Sequence, residues 1–87
     1  MVALESQLLM LALSCPRCAA LGLTMRPVKP FGLQIVRNGQ MMGIWRERQG
    51  VLAFRNLASW QSRITATTPA EAIETTIAMA RSNSWLD

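Results

Sequence analysis

The dipeptide Asn38-Gly39 stands between two alternating runs, with Phe31, Leu33 and Ile35 before it and Met42 and Ile44 after it. Both residues tolerate the positive φ angles of a type I′ turn, which matches the twist of antiparallel strands. A two-residue loop pairs Arg37 with Gln40, Ile35 with Met42 and Leu33 with Ile44. Phe31, Leu33, Ile35, Met42 and Ile44 then share one face. A slip of one residue would send them all to the other face, so turn and apolar pattern together specify the register.

The second strand of this hairpin runs from about Met41 to Arg48, and Val51 to Arg55 forms a third. A three-residue loop, Arg48-Gln49-Gly50 with Gly50 left-handed, sets Ile44 against Phe54 and Arg46 against Leu52. A two-residue loop sets Trp45 against Phe54 and divides the apolar residues between faces, so the three-residue loop is expected. Trp60, Ser62 and Ile64 alternate, as a fourth strand over 58–65 would, with a helical turn at 57–62 as the rival.

Thr68-Pro69-Ala70-Glu71 combines a Thr N-cap, Pro at the first helical position and Glu at the third. In such a capping box the two side chains satisfy backbone donors reciprocally. Ala70, Ile73, Ile77 and Ala80 form an apolar stripe suited to lying on a sheet, and the helix ends near Ser82-Asn83-Ser84.

Residues 3–13 are rich in helix formers, with Leu4, Leu8 and Leu11 at helical spacing and Leu9 and Met10 beside them. This short helix ends before Pro16. Residues 14–30 contain Cys15, Cys18, Gly22, Pro27 and Pro30 and read as an irregular basic connector. The expectation is an α+β fold: an antiparallel three- to four-stranded sheet with a C-terminal helix packed on one face and a short N-terminal helix. It divides into an N-terminal helix and arm over 1–30 and a sheet-plus-helix module over 31–87. A hairpin-rich sheet followed by a Thr-Pro-x-Glu helix resembles, in architecture alone, small double-stranded-RNA-binding and antitoxin-type modules.

The 87 residues carry nine basic and five acidic side chains. Their distribution is uneven. From Arg17 to Arg63 eight basic residues face only Glu47, whereas the remainder is net acidic. All the basic residues but Lys29 are arginine, which suits bidentate contacts to phosphate or carboxylate. On the expected outer sheet face Trp45 lies among Gln34, Val36, Met41, Val51, Ala53 and Arg55, with Gly32 and Gly43 leaving room. Either that face is open, or the N-terminal helix covers Trp45.

The chain has no His, which removes the commonest general base and metal ligand. Cys15-Pro16-Arg17-Cys18 supplies two thiols where a structural zinc wants four ligands, so a metal site would need Cys15 and Cys18 from two chains. Redox chemistry uses the same spacing within a βαβ setting, whereas this pair follows a short apolar helix. Ordinary buried or half-buried side chains are the expectation, in a reducing, cytoplasmic setting. Glu71 and Glu74 are explained by capping and helix polarity. The apolar run around Leu8–Leu13 has no basic residue ahead of it and is interrupted by Pro16 and Arg17, so neither an export signal nor a membrane span is expected.

These features point away from an enzyme and from a small-molecule substrate or cofactor. They point to a small basic non-catalytic module that docks on a larger protein partner or on a second copy of itself. The alternative is a nucleic-acid-binding module using the Arg-rich face and Trp45. The residues expected on the binding surface are Arg37, Trp45, Arg46, Arg48, Arg55, Arg63 and Trp85.

Overall fold

Five strands, each antiparallel to the next in sequence, make up the sheet seen among the described residues, and helices at both ends of the chain pack against it. A computed structural model describes residues 3–29, 31–56 and 64–82. Helix α1 spans Leu4–Leu13 and α2 spans Pro16–Ala20. Strands β1 (Leu23–Val28), β2 (Gly32–Arg37), β3 (Gln40–Arg48), β4 (Val51–Asn56) and β5 (Ile64–Ala66) follow in spatial order. Helix α3 covers Pro69–Ser82. The α+β class is as expected. The strand count exceeds the expected three to four, because residues 14–30 are not an irregular arm. They hold α2 and β1, and β1 joins the sheet by pairing Met25 with Ile35 and Pro27 with Leu33. Pro27 suits an edge strand, where a missing N–H leaves no gap in the ladder.

The Asn38-Gly39 turn forms as expected, with φ of 51° and 85° and Arg37 opposite Gln40. Beyond it the register departs from expectation. Val36 pairs with Met41, but Ile35 pairs with Gly43 and Leu33 with Trp45. Met42 is the extra residue of a β-bulge, and everything after it changes face. Ile44 moves outward and Trp45 inward. The following turn is two residues long, not three: Arg48 pairs with Val51, and Gln49 and Gly50 take φ of 54° and 81°. The two departures compensate. The bulge turns Trp45 inward, and the short turn brings Phe54 opposite it. The left-handed conformation costs Gln49 about 1–2 kcal/mol. Burying two aromatic side chains outweighs that, at roughly 1.5–3 kcal/mol for a residue the size of Phe. Of the expected fourth strand over 58–65, Ile64 and Thr65 belong to β5, and 58–63 lie outside the described residues.

One core lies between the sheet and the helices. It unites Leu8 of α1, Cys18 of α2, Leu23, Met25, Leu33, Ile35, Trp45, Leu52 and Phe54 of the sheet, and Ala72, Ile73, Ile77 and Ala80 of α3. The Trp45 and Phe54 rings meet at 5.4 Å, tilted by 55°, a favoured aromatic geometry. Both terminal helices are turned relative to their sequence stripes. In α1 Leu8 is buried and Leu4, Leu9 and Ala12 pack on the core, whereas Met10, Leu11 and Leu13 point outward. In α3 Ala70 is exposed, and Thr76 takes an inward position. The α3 cap forms from the expected residues: the Glu71 N–H donates to Thr68 Oγ1 at 3.1 Å. The reciprocal bond comes one residue early, from the Thr67 N–H to Glu71 Oε1 at 2.7 Å.

Candidate functional site

Strand alternation gives this sheet two different faces. The inner one carries Trp45 and is covered by α1 and α3. The Trp45 indole N–H donates to Thr76 Oγ1 at 2.9 Å. At the N-terminus of α1, Glu47 Oε1 accepts from the Leu4 N–H at 3.0 Å, and Glu5 Oε2 accepts from the Glu47 N–H at 2.9 Å. Glu47 therefore belongs to the covered side, although it sits between Arg46 and Arg48 in sequence.

The outer face has no helix over it among the described residues. One row across four strands reads Arg26, Gln34, Ile44, Arg55, and the next reads Arg46, Ala53, Thr65. Arg48 beside Val51 and Val36 beside Met41 complete it. Arg26, Arg46 and Arg48 are exposed; Val36, Ile44, Val51 and Ala53 are half-buried. Arg26 Nε donates to Gln34 Oε1 at 2.7 Å, and Gln34 Nε2 in turn contacts Met41 Sδ at 2.7 Å. With strands about 4.8 Å apart, Arg26 and Arg55 stand roughly 14 Å from each other across the row. The described carboxylates all lie elsewhere: Glu5 and Glu47 at the α1–β3 junction, Glu71 in the α3 cap and Glu74 against Arg17. The outer face thus intersperses four arginines with half-buried apolar side chains, Arg46 standing between Ile44 and Arg48 on β3 and opposite Ala53 on β4.

Of the residues expected on a binding surface, Arg46, Arg48 and Arg55 are brought together here. Trp45 is not on a surface at all, being fully buried on the opposite face. Arg37 is also structural: its Nε donates to the Leu21 carbonyl at 3.2 Å and its Nη1 to the Ala80 carbonyl at 2.9 Å, tying β2 to α2 and to the end of α3. Arg63 and Trp85 lie outside the described residues. Arg26 was absent from the expected set because its strand is hidden among prolines in the sequence. Its alternation with Thr24 and Val28 was the available signal.

The cysteine pair is a second chemical feature. Cys15 is the N-cap of α2, and its Sγ accepts from the Cys18 N–H at 3.4 Å. That bond, assisted by the Cys18 thiol and by the nearby Arg17 charge, holds the Cys15 thiol below its ordinary pKa. Burial pushes the Cys18 thiol up to about 12, and its interaction with Cys15 adds to the rise. Arg17, between them, forms an exposed ion pair with Glu74 of α3. That pairing pulls Glu74 below the usual carboxylate range. No cluster of three or more potential metal ligands occurs among the described residues, and none of their helices is long and apolar enough to cross a membrane.

No family model, no curated protein and no solved structure matches this chain.

Proposed function

We propose that this chain is a small non-catalytic docking module that binds a larger protein partner through its outer sheet face. The observation that carries the reading is the face itself, on which half-buried Val36, Ile44, Val51 and Ala53 are interspersed with Arg26, Arg46, Arg48 and Arg55. Protein interfaces combine apolar area with polar contacts, and Arg is enriched in them. Four like charges disfavour the same face of a second copy. The fitting partner is a protein surface that sets apolar side chains and carboxylates against this mixed face, with Arg46 and Arg48 the charges it meets. A cytoplasmic setting belongs with this proposal.

The nucleic-acid alternative keeps the charge but loses its stacking ring, since Trp45 faces the core and single-strand binding leans on exposed aromatics. The deciding experiment is an untagged pull-down from the native host, with and without nuclease, using wild type and the Arg46→Glu/Arg48→Glu double variant. A protein retained after nuclease treatment and lost with the double variant supports the docking face. Retention that nuclease abolishes, together with affinity for nucleic acid that falls steeply with salt, overturns it.

A further inference from the structure

Cys15 and Cys18 are chemically unequal in a way that the docking reading does not use. They share the first turn of α2, with Cys15 Sγ already 3.4 Å from the Cys18 backbone nitrogen. Cys15 is half-buried, while Cys18 is 2 % exposed and part of the core. Cys15 also borders two shallow cavities. One, of about 250 Å³, is walled by Leu11, Arg17, Ala70 and Ile73. The other, of about 320 Å³, lies over Ala12, Leu23 and Met25. Both cavities thus bring accessible space to Cys15, whereas Cys18 lines neither and is buried in the core.

We propose that Cys15 and Cys18 form a thiol–disulfide exchange site for low-molecular-weight disulfides, with Cys15 as the attacking thiolate and Cys18 as the resolving thiol. The thiolate is the nucleophile in such exchange, and the Cys18 N–H and Arg17 stabilise it on Cys15. In the first step Cys15 Sγ attacks one sulfur of the disulfide R–S–S–R. A Cys15 S–S–R bond forms, the R–S–S–R bond breaks, and one thiolate RS⁻ leaves. The negative charge at Cys15 is then gone, which removes one of the influences keeping Cys18 protonated. The Cys18 thiol gives its proton to the departing RS⁻, and its sulfur attacks Cys15 Sγ. The Cys15–Cys18 disulfide forms and a second thiolate leaves, taking a proton from water. The protein dithiol is oxidised by two electrons, and one disulfide is reduced to two thiols. No βαβ unit surrounds the pair among the described residues; the asymmetry arises from a helix cap whose first cysteine borders cavities and whose second belongs to the core.

The test uses the full chain, reduced and then exposed to oxidised glutathione, with intact mass and peptide mapping as readouts. The expected wild-type product has lost two hydrogens and carries no adduct. Cys18→Ser should stop at one glutathione adduct on Cys15. Cys15→Ser should react at least tenfold more slowly while folded, by circular dichroism, and react readily in denaturant. Should either variant fail to fold, pulse alkylation of reduced wild type supplies the same comparison. Cys15 should be labelled at least tenfold faster than Cys18, with a pH midpoint below that of a free thiol. Equal labelling of the two cysteines, a wild-type protein that only accumulates adducts, or one that stays reduced would overturn the assignment. None of these readouts depends on the docking partner, so the two readings stand or fall separately.

Discussion

The indole N–H of Trp45 and the hydroxyl of Thr76 meet at 2.9 Å in the interior, both fully closed to solvent. The Thr76 hydroxyl donates onward to the Ala72 carbonyl at 2.7 Å. One hydroxyl thus satisfies the polar atom of the largest buried side chain and fixes how α3 sits on the sheet. Thr76→Val keeps the volume but leaves the indole donor unpaired, a desolvation cost of about 1–3 kcal/mol. The lowered denaturant midpoint should return largely with Thr76→Ser, which restores the oxygen. A Val variant as stable as wild type would mean that the bond contributes nothing.

That pair also shows where reading from sequence stops. The Asn38-Gly39 turn and the Thr68 cap were legible because their chemistry is local: a few adjacent residues decide the backbone angles. The bulge at Met42 is marked only by the neighbouring Gly43, a bulge signal that a regular ladder accommodates equally well as room beside Trp45. A regular ladder was the simpler reading, and it carried Trp45 to the wrong face. The stripe Ala70, Ile73, Ile77 and Ala80 likewise leaves Thr76 out, because its inward position makes sense only once an indole N–H lies opposite. β1 was hidden by Pro27, which argues against a strand unless the strand is known to be an edge. For the candidate site, the Arg46-Glu47-Arg48 alternation was readable in principle. It separates two exposed positive charges from a carboxylate that clamps α1, but only after the face had been assigned correctly.

The Phe54 ring packs directly over Gly43, where an added Cβ would also lie 2.7 Å from the Arg55 carbonyl oxygen. Gly43→Ala should therefore destabilise the fold by about 1–3 kcal/mol, the cost of forcing volume into a packed core. Gly39 has a left-handed φ of 85° but open space around it. Gly39→Ala should cost about 1–2 kcal/mol from backbone strain alone. Pairing each with Phe54→Leu in urea unfolding separates the causes. The two costs at Gly43 should be non-additive because the residues touch, whereas those at Gly39 should add.

Deleting Met42 leaves Val36–Met41 and Ile35–Gly43 as consecutive pairs of a regular ladder. The deletion variant should fold with Trp45 still inward. Its loss should be limited to the packing of a half-buried side chain, about 1 kcal/mol. In a Trp60→Phe/Trp85→Phe background, Trp45 emission should stay blue and shift red only on unfolding. Red emission under native conditions would show that the bulge, rather than the apolar pattern after it, sets the face.

Alkaline pH should expose the burial of Cys18. Its thiol is pushed up to about 12 in the folded chain, chiefly by burial, against about 8.5 for a thiol in an unfolded one. The folded state holds that proton more tightly, so its contribution is full below about pH 8.5 and declines as pH rises toward about 12. Cys15 is shifted the other way, so its contribution still rises through about pH 8.5 and offsets the slope there, leaving the fall above about pH 9 to Cys18. Urea midpoints of the reduced protein at pH 9, 9.5 and 10 should fall, by at most about 1.4 kcal/mol per pH unit for one proton. Cys18→Ala should be less stable than wild type at pH 8, because it leaves a small cavity, and should show a flatter decline above it. Equal slopes for the two proteins would mean that the thiol ionises without leaving the core, contrary to its burial there.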